Sequence, residues 1–259
     1  NSNFSKISVF ANAGGNMRYN KSTILVQATN GGLTTPGFYN ISASKDRPSV
    51  NNLLFERKVN SVFANASIGY DNTIFIEGSL RNDWSSTLPK SNNSYFYPSI
   101  STSIVFTEFL PANNVLSFGK VRGGYAQVGT DLGPYNTSLT YNTGNPYGST
   151  PTQFIPSQLP NADLQPGLTS SYEGGIDLKF FKNRLSMEFT AYQNNSKNQI
   201  IPLAVAPTSG YSSALINAGL IQTKGVELHI GATPIIRGDF LWEVDLNLDR
   251  SNSKVITLA

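Results

Sequence analysis

Between Thr169 and Asn195 the chain alternates. Ser170, Tyr172, Gly174, Ile176, Leu178 and Phe180 are small or apolar, and Ser171, Glu173, Gly175, Asp177 and Lys179 lie between them. Phe181-Lys182-Asn183 interrupts the run, after which Leu185, Met187, Phe189 and Ala191 alternate with Ser186, Glu188, Thr190 and Tyr192. Strand side chains point to opposite faces with period two, so the stretch predicts a hairpin with one apolar face and one polar, charged face. Each arm runs to about eleven residues, where an ordinary strand has about five or six and a tilted bilayer-spanning strand about nine to eleven.

The same unit recurs along the chain. Phe4–Ala13 alternates loosely and predicts a strand. Asn16–Glu56 keeps no lasting period and carries Asn30-Gly31-Gly32, Pro36-Gly37 and Asp46-Arg47-Pro48, so it reads as a long loop with a short strand at Thr23–Ala28. Lys58–Tyr70, the turn Asp71-Asn72 and the return through Asp83 form a second hairpin. Phe96–Thr107 and Lys120–Val128 are further strands, with a helical turn at Glu108-Phe109-Leu110 between them. Thr130–Leu168 and Ser196–Leu220 read as loops. Ile221–Thr233, a turn at Pro234–Gly238 and Asp239–Asn252 close the series at about nine strands.

Short connections (Asp71-Asn72, Glu108–Phe118, Phe181–Asn183, Pro234–Gly238) alternate with long ones (Asn16–Glu56, Trp84–Ser94, Thr130–Leu168, Ser196–Leu220). Short turns at one end and long loops at the other are the arrangement of an outer-membrane barrel. Tyr70, Phe106, Phe109, Phe118, Phe180, Phe181, Phe240 and Trp242 sit by the short turns. Trp84, Tyr95, Phe96, Tyr97 and Tyr192 sit by the long loops, as two interfacial girdles would. Glu77, Arg81, Glu173, Asp177, Lys179, Glu188, Glu227, Glu243, Asp245 and Asp249 share faces with serines and asparagines. Opposite them the strands are nearly free of charge. Periodicity alone does not tell inside from outside, because a soluble barrel has the same pattern with the apolar face inward.

Composition sharpens this picture. Of 259 residues 14% are charged, against about 25% in ordinary soluble proteins, yet only 39% are hydrophobic. No apolar run reaches the length of a transmembrane helix, so the diluted hydrophobicity fits a membrane barrel rather than a helical membrane protein. Cysteine is absent, which excludes a disulfide framework and thiol chemistry. The net charge of +3 comes without a block of Lys and Arg, which disfavours nucleic acid. Asn1–Lys6 lacks the apolar segment of a signal peptide.

Catalytic signals are poor. His229 is the one histidine, so no histidine cluster holds a metal, and it lies on a polar strand face with no serine singled out beside it. Asp245 and Asp249 stand on one wall and are explained by lumenal polarity. Gly123-Gly124-Tyr125-Ala126-Gln127-Val128-Gly129 lacks the Lys-Ser/Thr and the helix of a phosphate loop. No cofactor is expected.

Several stretches resemble a known family. Leu80-Arg81-Asn82-Asp83-Trp84-Ser85-Ser86-Thr87-Leu88-Pro89 followed by Ser94-Tyr95-Phe96-Tyr97-Pro98-Ser99 is similar to a signature of the SusC/RagA-type TonB-dependent outer-membrane transporters of the Bacteroidota. So are Lys120 to Gly129, Asn161-Ala162-Asp163-Leu164-Gln165-Pro166 with Tyr172-Glu173-Gly174-Gly175-Ile176-Asp177, Phe180 to Leu185, and Asn217-Ala218-Gly219 with Lys224-Gly225-Val226-Glu227-Leu228. The likeness runs in order from about Leu80 to the C-terminus.

The resemblance implies an all-β, membrane-spanning antiparallel barrel of 22 strands filled by an N-terminal plug. It implies import of oligosaccharides or peptides across the outer membrane of a Gram-negative bacterium, without catalysis. A SusD-like surface lipoprotein would serve as lid, and the TonB system would drive import through an N-terminal region. Membrane lipid and lipopolysaccharide would surround the wall, and transporter–lipoprotein pairs would dimerise. With no plug, TonB box or closing strand in sight, residues 1–259 are expected to be the middle of the barrel wall. Tyr135, Tyr141, Tyr147 and Phe154 in a long loop, and lumenal Arg81, Arg122, Glu173 and Asp177, are the candidate substrate contacts. Loop packing and wall ion pairs are the plainer roles for the same residues. A secreted β-rich adhesin or glycan-binding protein, with charges on both strand faces, is the alternative from another class. A barrel enzyme depending on His229 comes third.

Overall fold

The computed structural model describes residues 2–4, 6–111, 114–144 and 146–258. Parts of the Asn1–Lys6 and Glu108–Phe118 readings therefore lie outside the described residues. The strands are β1 (Ser2–Phe4), β2 (Ile7–Leu33), β3 (Ser44–Tyr70), β4 (Ile74–Ser85), β5 (Ser94–Val105), β6 (Leu116–Thr130), β7 (Asn142–Thr143), β8 (Gln153–Phe154), β9 (Gln158–Leu159), β10 (Gly167–Phe180), β11 (Leu185–Ala204), β12 (Ser213–Arg237) and β13 (Phe240–Thr257). The nine long ones lie side by side in chain order, each antiparallel to the last, as one meander. β1 extends the β2 edge, β9 pairs with the start of β12, and β7–β8 is a separate ribbon.

The sheet is a single layer, and this decides which face is which. Ile100 is 55% exposed, Leu80 52% and Leu248 53%, all on the apolar face. A soluble protein does not leave a continuous apolar wall of that extent to water. The uncharged face meets lipid, and the charged face lines a lumen.

The hairpin turns have local causes. Asp71 and Asn72 both take left-handed backbone, with φ of 50° and 54°, as a two-residue turn matching strand twist requires. Phe181, Lys182 and Asn183 are all left-handed. That conformation is unfavourable for Phe and Lys. Here Val115 O accepts from Phe181 N at 2.8 Å and Ser117 Oγ from Lys182 N at 2.7 Å.

Two expected loops and one expected turn are largely strand. Asn16–Glu56 is the paired upper part of β2 and β3, continuous from Asn16↔Ser61 to Ala28↔Ser49, with the loop proper at 34–43. β3 leaves β4 at Val59↔Ser85, so this ribbon stands beyond the neighbouring wall with water on both faces. With no lipid on one side, nothing selects alternation, and the period vanishes although the strands continue. Ser196–Leu220 shrinks likewise to 205–212, because pairing runs on from Lys197↔Leu220 to Ala204↔Ser213. β11 has no β10 partner past Lys197, so Pro202 is tolerated there as on an edge strand. The turn expected at Pro234–Gly238 is only Gly238 and Asp239, the β12–β13 register slipping between Ala232 and Ile235. The helical turn falls at Phe106–Phe109 as a 3-10 helix.

Candidate functional site

Strand alternation brings the lumenal charges into rows across neighbouring strands. Lys120 and Arg122 on β6 face Asp177 and Glu173 on β10. Lys120 Nζ lies 2.7 Å from Asp177 Oδ2, and Arg122 Nε 3.6 Å from Asp177 Oδ1. Arg122 Nη1 donates to Glu173 Oε1, and Nη2 to Thr190 Oγ1 at 2.7 Å on β11. Gly175 makes room for the guanidinium, since a Cβ there would sit 3.0 Å from Arg122 Nε. Of the expected lumenal contacts, Arg122, Glu173 and Asp177 thus form one network.

Arg81 belongs to a second network. Its Nε donates to Asp83 Oδ1 at 2.8 Å and its Nη2 to Ser61 Oγ at 3.0 Å, while Tyr97 OH donates to Asp83 Oδ2 at 2.7 Å. His229 pairs with Asp245 at 3.1 Å on the β12–β13 wall. Among the described residues no hydroxyl is paired with it.

Above these rows the long loops fold inward. Leu164, fully buried, packs with Leu88, Tyr95 and Leu215, and Tyr97, Leu132 and Ile200 close around them. This cluster gathers the stretches that carry the family resemblance: Leu88 follows the Trp84-Ser85-Ser86-Thr87 run, Tyr95 and Tyr97 lie on β5, and Leu164 is in Asn161–Pro166. Asparagines fasten it. Asn217 Oδ1 accepts from Gln165 N at 2.7 Å and its Nδ2 donates to Gln165 O at 2.7 Å, while Asn161 Nδ2 reaches Leu215 O at 3.1 Å.

At the root of loop 131–166 sits Asp131, its side chain 8% exposed. Arg57 Nε donates to its Oδ2 at 3.0 Å and Nη2 to its Oδ1 at 2.5 Å, Thr87 Oγ1 donates to Oδ2 at 3.1 Å, and Ser85 Oγ also donates to Oδ2. One carboxylate thereby ties the foot of the β2–β3 ribbon, loop 86–93 and loop 131–166 together. Nothing in the sequence singles out Asp131, because its partners are 44 to 74 residues away. Higher on the ribbon, the Tyr19 hydroxyl donates to Glu56 at 2.6 Å and holds that carboxyl below its ordinary range.

The loop aromatics do not converge. Tyr135 stacks on Phe55 with ring centroids 6.4 Å apart. Tyr141, Tyr147 and Phe154 are 65%, 86% and 52% exposed along the loop.

A single-layer antiparallel meander with a lipid-facing outside, a charged inside and loops lengthened at one end is a stretch of outer-membrane β-barrel wall. The family model for the TonB dependent receptor-like β-barrel matches residues 3–253, and the chain belongs to that family. A TonB-dependent receptor of Formosa agariphila is 28% identical over 204 residues, covering 78% of this chain and 20% of the relative. The TonB-dependent receptor SusC of Bacteroides thetaiotaomicron is 23% identical over 209 residues, covering 77% and 21%. Among solved structures, the RagAB peptide importer in its closed-closed state superposes with a TM-score of 0.87 at 22% identity, over 99% of this chain and 29% of the other. The siderophore receptor PirA of Pseudomonas aeruginosa gives 0.52 at 16%, over 80% and 38%. The chain spans about a fifth of the length of the curated relatives it matches.

Proposed function

We propose that this chain forms the middle of the wall, residues 1–259, of a 22-stranded, plugged, TonB-dependent importer of oligosaccharides or peptides, working with a SusD-like surface lipoprotein. The observation that carries the reading is the sorted wall itself, apolar outside and ion-paired inside, within a TonB-dependent receptor barrel family. In this reading the wall does no chemistry. It shapes a polar conduit and presents loops to the outside. TonB would act through a region N-terminal to this stretch, and transporter–lipoprotein pairs would dimerise in the membrane.

Within that importer, Tyr135, Tyr141, Tyr147 and Phe154 act as contacts for sugar rings or peptide side chains, which the exposure of the loop aromatics supports. Arg81, Arg122, Glu173 and Asp177 meet the plug or passing substrate only by exchanging the partners they already hold. The test is uptake by cells carrying the full receptor of labelled oligosaccharide and labelled peptide pools, with and without TonB. Import of one pool that requires both TonB and the receptor supports the reading. Equal uptake in cells lacking the receptor overturns it. Tyr141→Ala with Tyr147→Ala is expected to raise the half-saturating concentration about 30-fold, each lost stacking contact being worth about 1 kcal/mol.

A further inference from the structure

We propose that the outward face of β11–β13, just above the apolar band, binds the phosphorylated headgroup of an outer-leaflet lipid through Lys197, Lys224, Arg250 and Lys254. The proposal rests on the barrel reading and not on import. On this face β13 carries Phe240, Trp242, Val244, Leu246 and Leu248 in alternation. Eight residue steps at the usual rise and tilt span about 20 Å of height, close to the apolar band of about 25 Å on such barrels. The next outward residue toward the long-loop end is Arg250, followed by Asn252 and Lys254.

The register assembles the patch. Lys224 lies directly opposite Asn252, with Gln193 on its other side. Arg250 and Lys254 are two residues to either side of Asn252, so each is diagonal to Lys224 at about 7–8 Å between Cα atoms. Lys197, opposite Leu220, stands four residues further along the same face. Amides of Gln193, Asn195, Gln222 and Asn252 fill the intervening positions, and Gln222 Nε2 already donates to Asn195 Oδ1 at 3.0 Å.

Ion pairing distinguishes this patch from the lumenal networks, where Lys179, resting over the Phe118 ring, is the exception. Lumenal Arg81, Lys120 and Arg122 each hold a carboxylate. Among the described residues none of the four outward cations has an acidic partner, and β10 to β13 place all their Asp and Glu on the lumenal face. Four uncompensated cations on one face, spread over the six residue steps from the level of Val226 to that of Leu220, call for an anion from outside the protein. Long side chains near the hydrocarbon edge lay their stems on apolar surface and lift their charge to headgroup level. Long loops mark the outer side of such barrels, so the leaflet concerned is the outer one. Its phosphorylated glycolipid fits a triangle of cations rimmed by amide donors, because phosphate oxygens pair with Lys and Arg while sugar hydroxyls take the amides.

The full receptor, purified in detergent from its outer membrane, tests this by native mass spectrometry. The probes are lipid A, dephosphorylated lipid A and inorganic phosphate. The comparison variant carries Lys197→Gln, Lys224→Gln, Arg250→Gln and Lys254→Gln, a second carries only Lys224→Gln and Lys254→Gln, and Lys182→Gln at a short turn is the control. Heat-modifiable mobility on gels confirms a folded barrel in each. Lipid A retention is expected to fall about tenfold or more in the fourfold variant and partly in the twofold one, with Lys182→Gln unchanged. Retention of dephosphorylated lipid A by the wild type should be weak. Undiminished retention in the fourfold variant overturns the proposal. So does equal retention of dephosphorylated lipid A, or displacement of lipid A by equimolar inorganic phosphate, which would make free phosphate the ligand. Uptake that does not depend on the receptor, with retention lost in the fourfold variant, sinks the importer reading alone, and undiminished retention in the fourfold variant, with receptor-dependent uptake, sinks this one alone.

Discussion

Replacing Asp131 by Ala should release loop 131–166 from the barrel rim without unfolding the wall. The carboxylate is nearly buried and accepts two hydrogen bonds from Arg57 and one each from Ser85 and Thr87. Removing one partner of a fully buried pair costs about 3–5 kcal/mol. The Arg57 side chain is 30% exposed and regains water, so about 2–3 kcal/mol is the appropriate figure. The penalty falls on local opening, because the ladders from β2 to β13 do not involve Asp131. A loss of 2–3 kcal/mol raises the open population about 30- to 150-fold. Hydrogen exchange of backbone amides in 131–166, measured on the full receptor in detergent, reads that change directly, with amides at the centre of β10 and β11 as internal reference. Arg57→Ala and the double variant complete a cycle, and the two single effects should overlap strongly rather than add. Exchange in 131–166 altered less than threefold by Asp131→Ala would refute the assignment of this carboxylate as the fastening point.

Three further outcomes follow from packing and from the lipid boundary. Leu164→Ala empties the centre of the rim cluster and should cost about 2–5 kcal/mol of loop stability, seen as faster protease cleavage in 131–166 on intact cells. Gly225→Ala drives a Cβ to 2.4 Å from the Tyr192 ring and should lower the barrel's thermal midpoint, by about 1–3 kcal/mol in stability, with Tyr192→Ala on the same background restoring most of it. Leu228→Arg on the lipid face should cost about 2–4 kcal/mol in folding titrations into bilayers, whereas Glu227→Gln next to it on the lumenal face should be near neutral.

The candidate site was legible by class of residue more than by partner. That Arg122, Glu173 and Asp177 share a face follows from counting along β6 and β10. That they bond one another depends on which residues of the two strands stand opposite, and Gly175↔Arg122 is a pairing made across a 36-residue loop. Asp131 and Leu164 escaped notice because a single Asp or Leu in an irregular segment has no period to betray it. Loop composition marked Tyr135, Tyr141, Tyr147 and Phe154 as exposed aromatics, and only Tyr135 found a ring to stack on.

Alternation by itself determined the nine strands, their faces and the positions of most turns, since a strand with lipid on one side and polar lumen on the other must write both environments into its side chains. It failed where that asymmetry stops. The β2–β3 ribbon stands beyond the lipid, and the upper β11–β12 arms turn Leu215 and Ile200 into the rim cluster rather than into a lipid-facing row, so strand pairing continues there with no hydrophobic period to report it. Only the tertiary structure decided that the apolar face points outward, that distant loops knit a buried cluster over the lumen, and that Arg81, Lys120 and Arg122 hold carboxylates while Lys197, Lys224, Arg250 and Lys254 do not. Those outcomes rest on contacts between residues far apart in the chain, which no local pattern encodes.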